Sequence, residues 1–370
     1  MIDYAKYLLG PALLGLQIYG MWLGGAWAWL GLGLLGAVML VDVFLPRDFS
    51  VRDQRHPWIY DVCVTVNMLA GFALVFTFAW LAGHDHFRDG GFAGAFAGTL
   101  VFGFVVSAPP VHELFHREQL FQRTMGRLGL ALVGDPWREI THVVTHHLKV
   151  ATPDDPDTAR RGDTIYRHFA RTFPGQIVDA YRLERTIWTK RERPWWHPRN
   201  RWVRCTAGMT AFYGALFVTG GLSGMLWTGA AILFGPRLLL ECFNYCNHYG
   251  LVTETPGQFQ RRHTWNHLTP FVRILALEIT NHAGHHADSY KPFYELVPDR
   301  TGPQQPHFLL CVLTSFVPPI WHRMIIRPLL EDWDERFATP RERRLAHEAN
   351  LRAGWVDAGA APVIATGGAS

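Results

Sequence analysis

The residues of this sequence that could do chemistry are histidines grouped in short segments. Residues 280–288 read Thr-Asn-His-Ala-Gly-His-His-Ala-Asp, which places His282, His285 and His286 within five residues. On a helix, offsets of 0, 3 and 4 put these three side chains on one face within an arc of about 100°. Packing does not require three imidazoles at this spacing, whereas neutral imidazole nitrogens are good ligands for iron, copper or zinc. The spacing therefore predicts a metal site.

Three further segments repeat the pattern. His112 and His116 are four residues apart, and so are His142 and His146, so each pair shares a helical face, while His147 is turned by roughly 100° from His146. A ninth histidine lies in Asn-Tyr-Cys-Asn-His-Tyr-Gly. Because one first-row ion takes about four to six ligands, nine histidines predict two ions. The predicted ligands are His112, His116, His142, His146, His147, His248, His282, His285 and His286.

Other polar side chains near these segments are predicted to support the ligands. A histidine that binds a metal through one nitrogen usually donates its other N–H to a carboxylate or a carbonyl, which fixes the orientation of the ring. His263 and His267 are placed in this supporting layer because nine ligands are already assigned. The predicted supporting residues are Glu113, Asp155, Asp157, His263, His267, Asn281 and Asp288.

The elements that must position these residues are apolar helices. Of the 370 residues, 49% are hydrophobic and 18% charged, and no charged residue occurs from 7 to 41. As one helix that run would be about 52 Å long, against a hydrocarbon core of about 30 Å, so it predicts two helices that turn near residues 20–25. Apolar runs at 58–82, 90–109, 203–220 and 222–245 bring the total to six. The predicted fold is an all-α integral membrane bundle of six transmembrane helices with a cytoplasmic histidine-rich cap.

The distribution of arginine predicts the orientation of the chain. The connection 46–57 carries Arg47, Arg52 and Arg55, and the chain after Pro110 is rich in arginine. Because cytoplasmic segments are enriched in such residues, both segments and both termini are expected in the cytoplasm. Residues 1–110 are predicted to form transmembrane helices 1–4, and 202–250 to form helices 5 and 6. The cap would comprise 111–201 and 251–355, followed by a disordered tail at 356–370.

Two other classes of protein explain part of the pattern. His112, Glu113 and His116 fit the metalloprotease motif, in which two histidines hold zinc and the glutamate activates water, but that site would leave seven histidines unused. A histidine-lined metal transporter would need its ligands at mid-membrane, whereas these lie just beyond the ends of the spans. The net charge of +4, without a basic-aromatic pattern, does not indicate nucleic-acid binding.

The four histidine segments, in this order and spacing, resemble those of the integral-membrane non-haem di-iron monooxygenases, the alkane hydroxylase-like family. Within it the chain is most similar to the hydroxylase component of xylene and p-cymene monooxygenase. Where the alkane branch has Leu-Gln-Arg-His, this chain has Ile-Thr-Asn-His at 279–282, and Asn247 stands where many relatives have glutamate. The resemblance extends over nearly the whole chain. Besides the histidine segments it includes Gly134-Asp135-Pro136, Asp163-Thr164-Ile165-Tyr166, Trp265-Asn266-His267, Glu278-Ile279-Thr280-Asn281-His282 and Phe293-Tyr294-Glu295-Leu296.

The resemblance implies two iron ions that activate O₂ and hydroxylate the methyl group of toluene, xylene or p-cymene to the benzylic alcohol. The alternative is a medium-chain alkane 1-monooxygenase, and less favoured ones are a fatty-acyl desaturase or an intramembrane metalloprotease. The resemblance also implies a bacterial inner-membrane protein that takes its substrate from the bilayer. The five cysteines form no iron–sulfur motif. A separate electron donor is therefore expected, an NADH-dependent flavin and [2Fe–2S] reductase or, alternatively, rubredoxin.

Overall fold

Regular structure in this protein is helical. A computed structural model describes residues 2–88 and 90–356, and in these ranges the only β-type pairing is an isolated bridge between Asn266 and Gln304. The predicted all-α class is confirmed. The tail predicted to be disordered, 356–370, lies outside the described residues except for Val356.

The helices follow one another through the whole chain, with short turns at Ile2–Ala5, Lys6–Leu8, Arg261–His263 and Phe293–Glu295. In chain order they are α1 (Leu9–Leu23), α2 (Gly25–Val43), α3 (Pro57–Gly83), α4 (Phe92–His116), α5 (Leu120–Val133), α6 (138–149), α7 (Ile165–Lys190), α8 (Arg201–His248), α9 (Pro270–Leu275), α10 (His282–Ala287), α11 (Phe308–Ser315), α12 (318–336) and α13 (Pro340–Arg352).

Four of these helices, α2, α3, α4 and α8, are long and apolar enough to cross a membrane. Their outer surfaces carry exposed apolar side chains, among them Leu40 at 61% and Val218 at 85% exposure. Apolar surface of this extent is unfavourable in water and favourable against lipid tails. The chain is therefore a membrane protein.

Two glycines interrupt the long apolar runs. Gly24 separates α1 from α2 with a φ of 72°, which falls within the turn predicted at residues 20–25. Gly221 has a φ of 62° and breaks α8, whose 48 residues would otherwise extend over about 72 Å. Because glycine has no Cβ, it adopts this backbone conformation without strain. Each apolar run is thus divided into two helical segments.

Close contact between α3 and α8 depends on small residues. A Cβ atom on Gly220 or Gly224 would collide with the carbonyl of Ala79, and one on Gly83 would collide with Gly220. Small residues let two membrane helices approach to backbone contact, which gives packing attraction where lipid removes the hydrophobic drive between helices. This contact fixes α8 against α3.

Helices α4 and α8 each contain a widened turn close to proline. Gly103–Ser107 in α4 precedes Pro109 and Pro110, and Leu233–Arg237 in α8 contains Pro236; both are π-type turns. Proline lacks an N–H and disturbs the regular helical hydrogen bonds, and a wider turn accommodates the change. Both helices then continue to a final histidine, His116 in α4 and His248 in α8.

Candidate metal centre

Histidines from α4, α6, α8 and α10 converge at one place. The structure brings together all nine histidines singled out in the sequence, and eight of them form two quartets. Within each quartet, one nitrogen from each residue lies within 4.8 Å of the others. The first quartet is His112, His116, His142 and His285, and the second is His146, His248, His282 and His286.

The distances between ring nitrogens match those around a metal ion. The Nε2 atoms of His112 and His142 are 3.0 Å apart, and those of His248 and His282 are 2.9 Å apart. Two nitrogens that each lie about 2.1 Å from one ion, at about 90° to each other, would be about 3 Å apart. Two neutral nitrogens with lone pairs at this distance repel each other unless a proton or a cation lies between them. The spacing therefore fits a shared cation.

Several buried nitrogens of the same rings have no hydrogen-bond partner among the described residues. They include both ring nitrogens of His116 and the Nε2 atoms of His146 and His285. Buried polar atoms are nearly always paired in folded proteins, so unpaired ones need an explanation. Metal coordination would satisfy them, and the donor set of neutral imidazoles suits a first-row transition metal.

The second histidine segment depends on a π-type turn at His142–His146, which has no proline to cause it. In regular α-helix His147 would point about 100° away from His146. A π-type turn joins residue i to residue i+5, so His142 and His147 lie one turn apart. The Nε2 atom of His147 is 3.3 Å from that of His142, and its ring centre is 4.5 Å from that of His286. His147 therefore lies between the two quartets.

Burial keeps most of these imidazoles neutral. Removal from water disfavours the imidazolium form and lowers the pKa well below its usual value in His142, His147, His282, His285 and His286. A neutral imidazole is the form that binds a metal. These five histidines are therefore in the form that could bind a metal ion.

Asp155, one of the predicted supporting residues, contacts one of the nine histidines. Its carboxylate lies 2.9 Å from Nδ1 of His146 and also accepts a hydrogen bond of 2.6 Å from Thr158. Burial opposes charge on His146, but the nearby Asp155 carboxylate outweighs it and raises the pKa of His146. Asp155 therefore fixes this ring with Nε2 directed away from the carboxylate.

Asp157 joins the centre to a buried network that the sequence analysis did not identify. Its carboxylate is grouped with His142 and His146, and it accepts a hydrogen bond of 2.8 Å from Arg138. Burial raises the pKa of Asp157 to about 6. Arg138 also donates to Glu241 at 2.5 Å, and Glu241 pairs with Arg237 four residues earlier in α8. Charged residues of opposite sign within or near apolar runs indicate in the sequence that buried ion pairs form, but they do not specify which residues pair.

Three of the predicted supporting residues interact elsewhere. Glu113 pairs with Arg117 at 2.8 Å and accepts a hydrogen bond of 3.1 Å from the Phe293 backbone. His263 lies 2.7 Å from a carboxylate oxygen of Glu342 in α13. Asp288 is exposed at the end of α10. The Glu113 and His263 side chains stabilise the cap around the centre.

His267 and Asn281 are buried beside the last histidine segment. Nδ1 of His267 is 2.9 Å from the Pro306 carbonyl, whereas its Nε2 has no hydrogen-bond partner. Burial lowers the pKa of His267 to about 4, so this ring is neutral. The amide of Asn281 is buried with neither its oxygen nor its nitrogen paired.

A strained turn leads into α10. Leu277 and Glu278 have φ values of 45° and 60°, which side-chain-bearing residues rarely adopt. The buried Glu278 carboxylate holds the turn, because it accepts hydrogen bonds from Tyr7 at 2.5 Å, Arg52 at 2.7 Å and Arg273 at 2.5 Å. Strain of this kind persists only where surrounding contacts impose it, often at functional sites. No periodicity in the sequence indicates it.

An apolar cavity of about 870 Å³ borders the histidines. His112, His142 and His282 form part of its wall, and the rest comes mainly from apolar side chains of α2, α4, α8 and α9, such as Met39, Phe104, Leu240 and Val272. A second, polar cleft of about 1260 Å³ is lined instead by His147 and His286, together with Phe259, Gln260, Arg261 and Arg262. The same centre therefore borders an apolar and a polar space.

Comparison with known proteins gives two kinds of match. Residues 90–301 match the model of the fatty acid desaturase family. The chain is 36% identical over 357 residues to the xylene/toluene monooxygenase hydroxylase component of Pseudomonas putida, which covers 96% of each chain. It is 28% identical to alkane 1-monooxygenase 1 of Pseudomonas aeruginosa, over 80% of each chain. With alkane 1-monooxygenase of Ectopseudomonas oleovorans it shares 27% identity, over 90% of this chain and 87% of the relative.

Proposed function

We propose a substrate and a mechanism from the premise that the chain belongs to the fatty acid desaturase family and is a membrane monooxygenase. It hydroxylates the methyl group of an alkyl-substituted aromatic hydrocarbon, of the toluene, xylene or p-cymene type, to the benzylic alcohol. The name of its relative in Pseudomonas putida, a xylene/toluene hydroxylase component, supports this substrate class.

The observation that carries the proposal is the apolar cavity with histidines in its wall. A hydrocarbon offers no hydrogen bonds, so it is bound by apolar surface removed from water, and the wall of this cavity is mainly apolar. Close to the histidines the wall is aromatic: the Phe243 ring lies 5.2 Å from that of His282 and 5.6 Å from that of Phe308. Edge-to-face contacts of this kind suit an aromatic ring.

The nine histidines would hold two iron ions, one in each quartet, with His147 between them. When bound, the two irons would supply the reduction of O₂: two electrons and two protons are consumed, one oxygen is inserted into the C–H bond and the other leaves as water. The residues of the chain supply neutral donors and orient them, and Asp155 fixes His146. Apolar side chains keep water from the reacting methyl group.

The electrons must come from another protein. All five cysteines are unpaired, and four of them are fully buried among apolar side chains. Such thiols are packing residues and provide no iron–sulfur site. We propose an NADH-dependent flavin and [2Fe–2S] reductase as the donor, with rubredoxin as the alternative.

The proposed topology has six spans in the bacterial inner membrane, with both termini and the histidines on the cytoplasmic side. The breaks at Gly24 and Gly221 support it, because they divide the apolar runs 7–41 and 203–245 into two segments each. Arginines of the connection 46–57 lie beside the cap, where Arg52 pairs with Glu278 at 2.7 Å. Cytoplasmic connections are typically enriched in such residues.

The second candidate is terminal hydroxylation of a medium-chain alkane, which the two alkane 1-monooxygenase relatives favour. Whole cells supplied with a matching reductase and given toluene, p-xylene, p-cymene and n-octane would separate the two, with products identified by mass. We expect benzylic alcohols from the aromatic compounds, and none from cells that carry His285→Ala. Formation of 1-octanol without any product from p-xylene would replace the proposal by the alkane reaction.

A further inference from the structure

One hydroxyl group stands out in the wall of the apolar cavity. Thr280 lies in this wall and is 1% exposed, and its Oγ1 has no hydrogen-bond partner among the described residues. A buried hydroxyl without a partner is unfavourable, because it loses its hydrogen bonds to water and gains none. This group is available to a ligand in the cavity.

The backbone of Thr280 is held firmly. Its carbonyl accepts a hydrogen bond of 3.1 Å from the His267 backbone, and the strained turn before it is held by the Glu278 carboxylate between Arg52 and Arg273. Because the backbone of Thr280 is fixed in this way, it cannot shift to bring the side-chain hydroxyl to another hydrogen-bond partner in the protein. Thr280 precedes His282 by two residues, and both border the same cavity.

Other polar groups of the wall are already engaged. The amide nitrogen of Asn244 donates to Glu241 at 3.3 Å, and the guanidinium of Arg138 donates to Asp157 and Glu241. Thr280 differs from both, since its side chain has the capacity to donate one hydrogen bond and accept others. An apolar hydrocarbon leaves that capacity unused.

We propose that Thr280 forms a hydroxyl-binding subsite inside the apolar cavity, and that its ligand is the benzylic alcohol. This inference rests on the proposed function, because the ligand is the product of that reaction. The new hydroxyl is formed at the histidine end of the cavity, where the wall contains both His282 and Thr280. The alcohol both donates and accepts a hydrogen bond, as does Thr280, so the pair compensates the burial of both groups. The cavity thus retains its product, which inhibits further turnover.

The test is a thermodynamic cycle, in which the hydroxyl is removed from the protein by mutation and from the ligand by substitution of a methyl group. Thr280→Val keeps the shape of the side chain without the hydroxyl, and Thr280→Ser keeps the hydroxyl. Ethylbenzene has the shape of benzyl alcohol with a methyl group in place of the hydroxyl. Binding of both ligands to the iron-loaded full-length protein in lipid nanodiscs would be measured by calorimetry or by ligand-dependent thermal stabilisation. Because such a cycle cancels effects common to both ligands, it isolates the hydrogen bond.

We expect Thr280→Val to weaken benzyl alcohol about tenfold more than it weakens ethylbenzene, and Thr280→Ser to preserve the wild-type ratio. Equal weakening of the two ligands by Thr280→Val would overturn the proposal, since it would show a role in packing alone. If the Val variant does not fold, the wild type decides: benzyl alcohol bound at least as tightly as ethylbenzene supports the subsite, and binding more than tenfold weaker rejects it.

Failure of this inference differs from failure of the proposed function. A protein that hydroxylates p-xylene but shows the same ligand ratio in wild type and Thr280→Val has the function without the subsite. A protein that binds neither ligand and produces no benzylic alcohol lacks the function itself. A matched control is Ile279→Val, which removes one methylene from the neighbouring wall position and should affect both ligands equally.

Discussion

The apolar cavity and the polar cleft border the same histidine centre but differ in composition. The cavity contains His112, His142 and His282 in a wall made mainly of apolar side chains from the membrane helices. The cleft contains His147 and His286 beside Gln260 and Arg261 in the cap. The difference fits the proposed function, in which hydrocarbon would enter from the membrane side and protons and electrons would arrive from the polar side.

An aromatic ring packs against the histidines on each side. Phe259 stacks on His286 at the cleft, with ring centres 5.1 Å apart. On the cavity side, Phe243 lies edge-to-face to His282, with ring centres 5.2 Å apart. Because the cavity is mainly apolar and the cleft polar, substitutions on the two sides should have different consequences.

The largest effect should come from a histidine on either side. His286→Ala on the cleft side and His142→Ala on the cavity side each remove a donor from a quartet, so we expect loss of bound iron and a fall in turnover of more than about 100-fold. Iron content and product formation measure this, and membrane insertion should persist. His347→Ala in α13 is the control. Full activity and iron content in either variant would remove that histidine from the ligands.

The next largest effect concerns the carboxylate that orients His146. Asp155→Asn keeps the shape but removes the charge, and we expect a loss of about 10- to 100-fold in iron affinity or activity. Its neighbour Asp154 is exposed, so Asp154→Asn is a matched control that should bind iron normally. Equal iron affinity in both variants would show that Asp155 does not support the centre.

A smaller effect should distinguish the two spaces directly. Ala276→Leu narrows the cavity, and we expect kcat/KM for p-cymene to fall about tenfold relative to that for toluene, because p-cymene is bulkier. Ala287→Leu adds the same volume at the cleft and should leave the p-cymene to toluene ratio unchanged. A shift of this ratio in Ala287→Leu, with none in Ala276→Leu, would reverse the assignment of the two sides.

The smallest effect is on the stability of metal-free protein at acidic pH. Burial lowers the pKa of His142, His282 and His285 in the folded protein, so these rings stay neutral at acidic pH. In the unfolded chain the same rings bind protons below about pH 6.5. The free energy of unfolding should therefore decrease as the pH falls through this range. Thermal unfolding between pH 7.5 and 5.5 measures it, and a Tm that rises toward low pH would contradict the assigned burial.

The sequence predicted the members of the site better than their arrangement. Types and spacing were enough to single out the nine histidines, since each segment carries its own signal, and Gly24 falls in the predicted turn because length alone requires a break. The division into quartets was not predictable. The position of His147 between the quartets was not predictable either, because it depends on the π-type turn at His142–His146, which has no signature such as proline.

Long-range pairing of charges was also beyond the sequence. Arg237 and Glu241 are four residues apart on one helix, so their spacing indicates that they can pair, whereas Arg138 lies 103 residues from Glu241 in the chain. The Tyr7–Glu278 hydrogen bond spans 271 residues. Local periodicity carries no information about such contacts. Glu113 is a different case, because its partner Arg117 is only four residues away in the chain.

Metal analysis of the purified full-length protein shows whether two iron ions occupy the two quartets. We expect about two irons per chain, reduced to one or none when a quartet histidine is replaced by alanine. A single zinc per chain, retained in His286→Ala and lost in His112→Ala, would contradict this expectation.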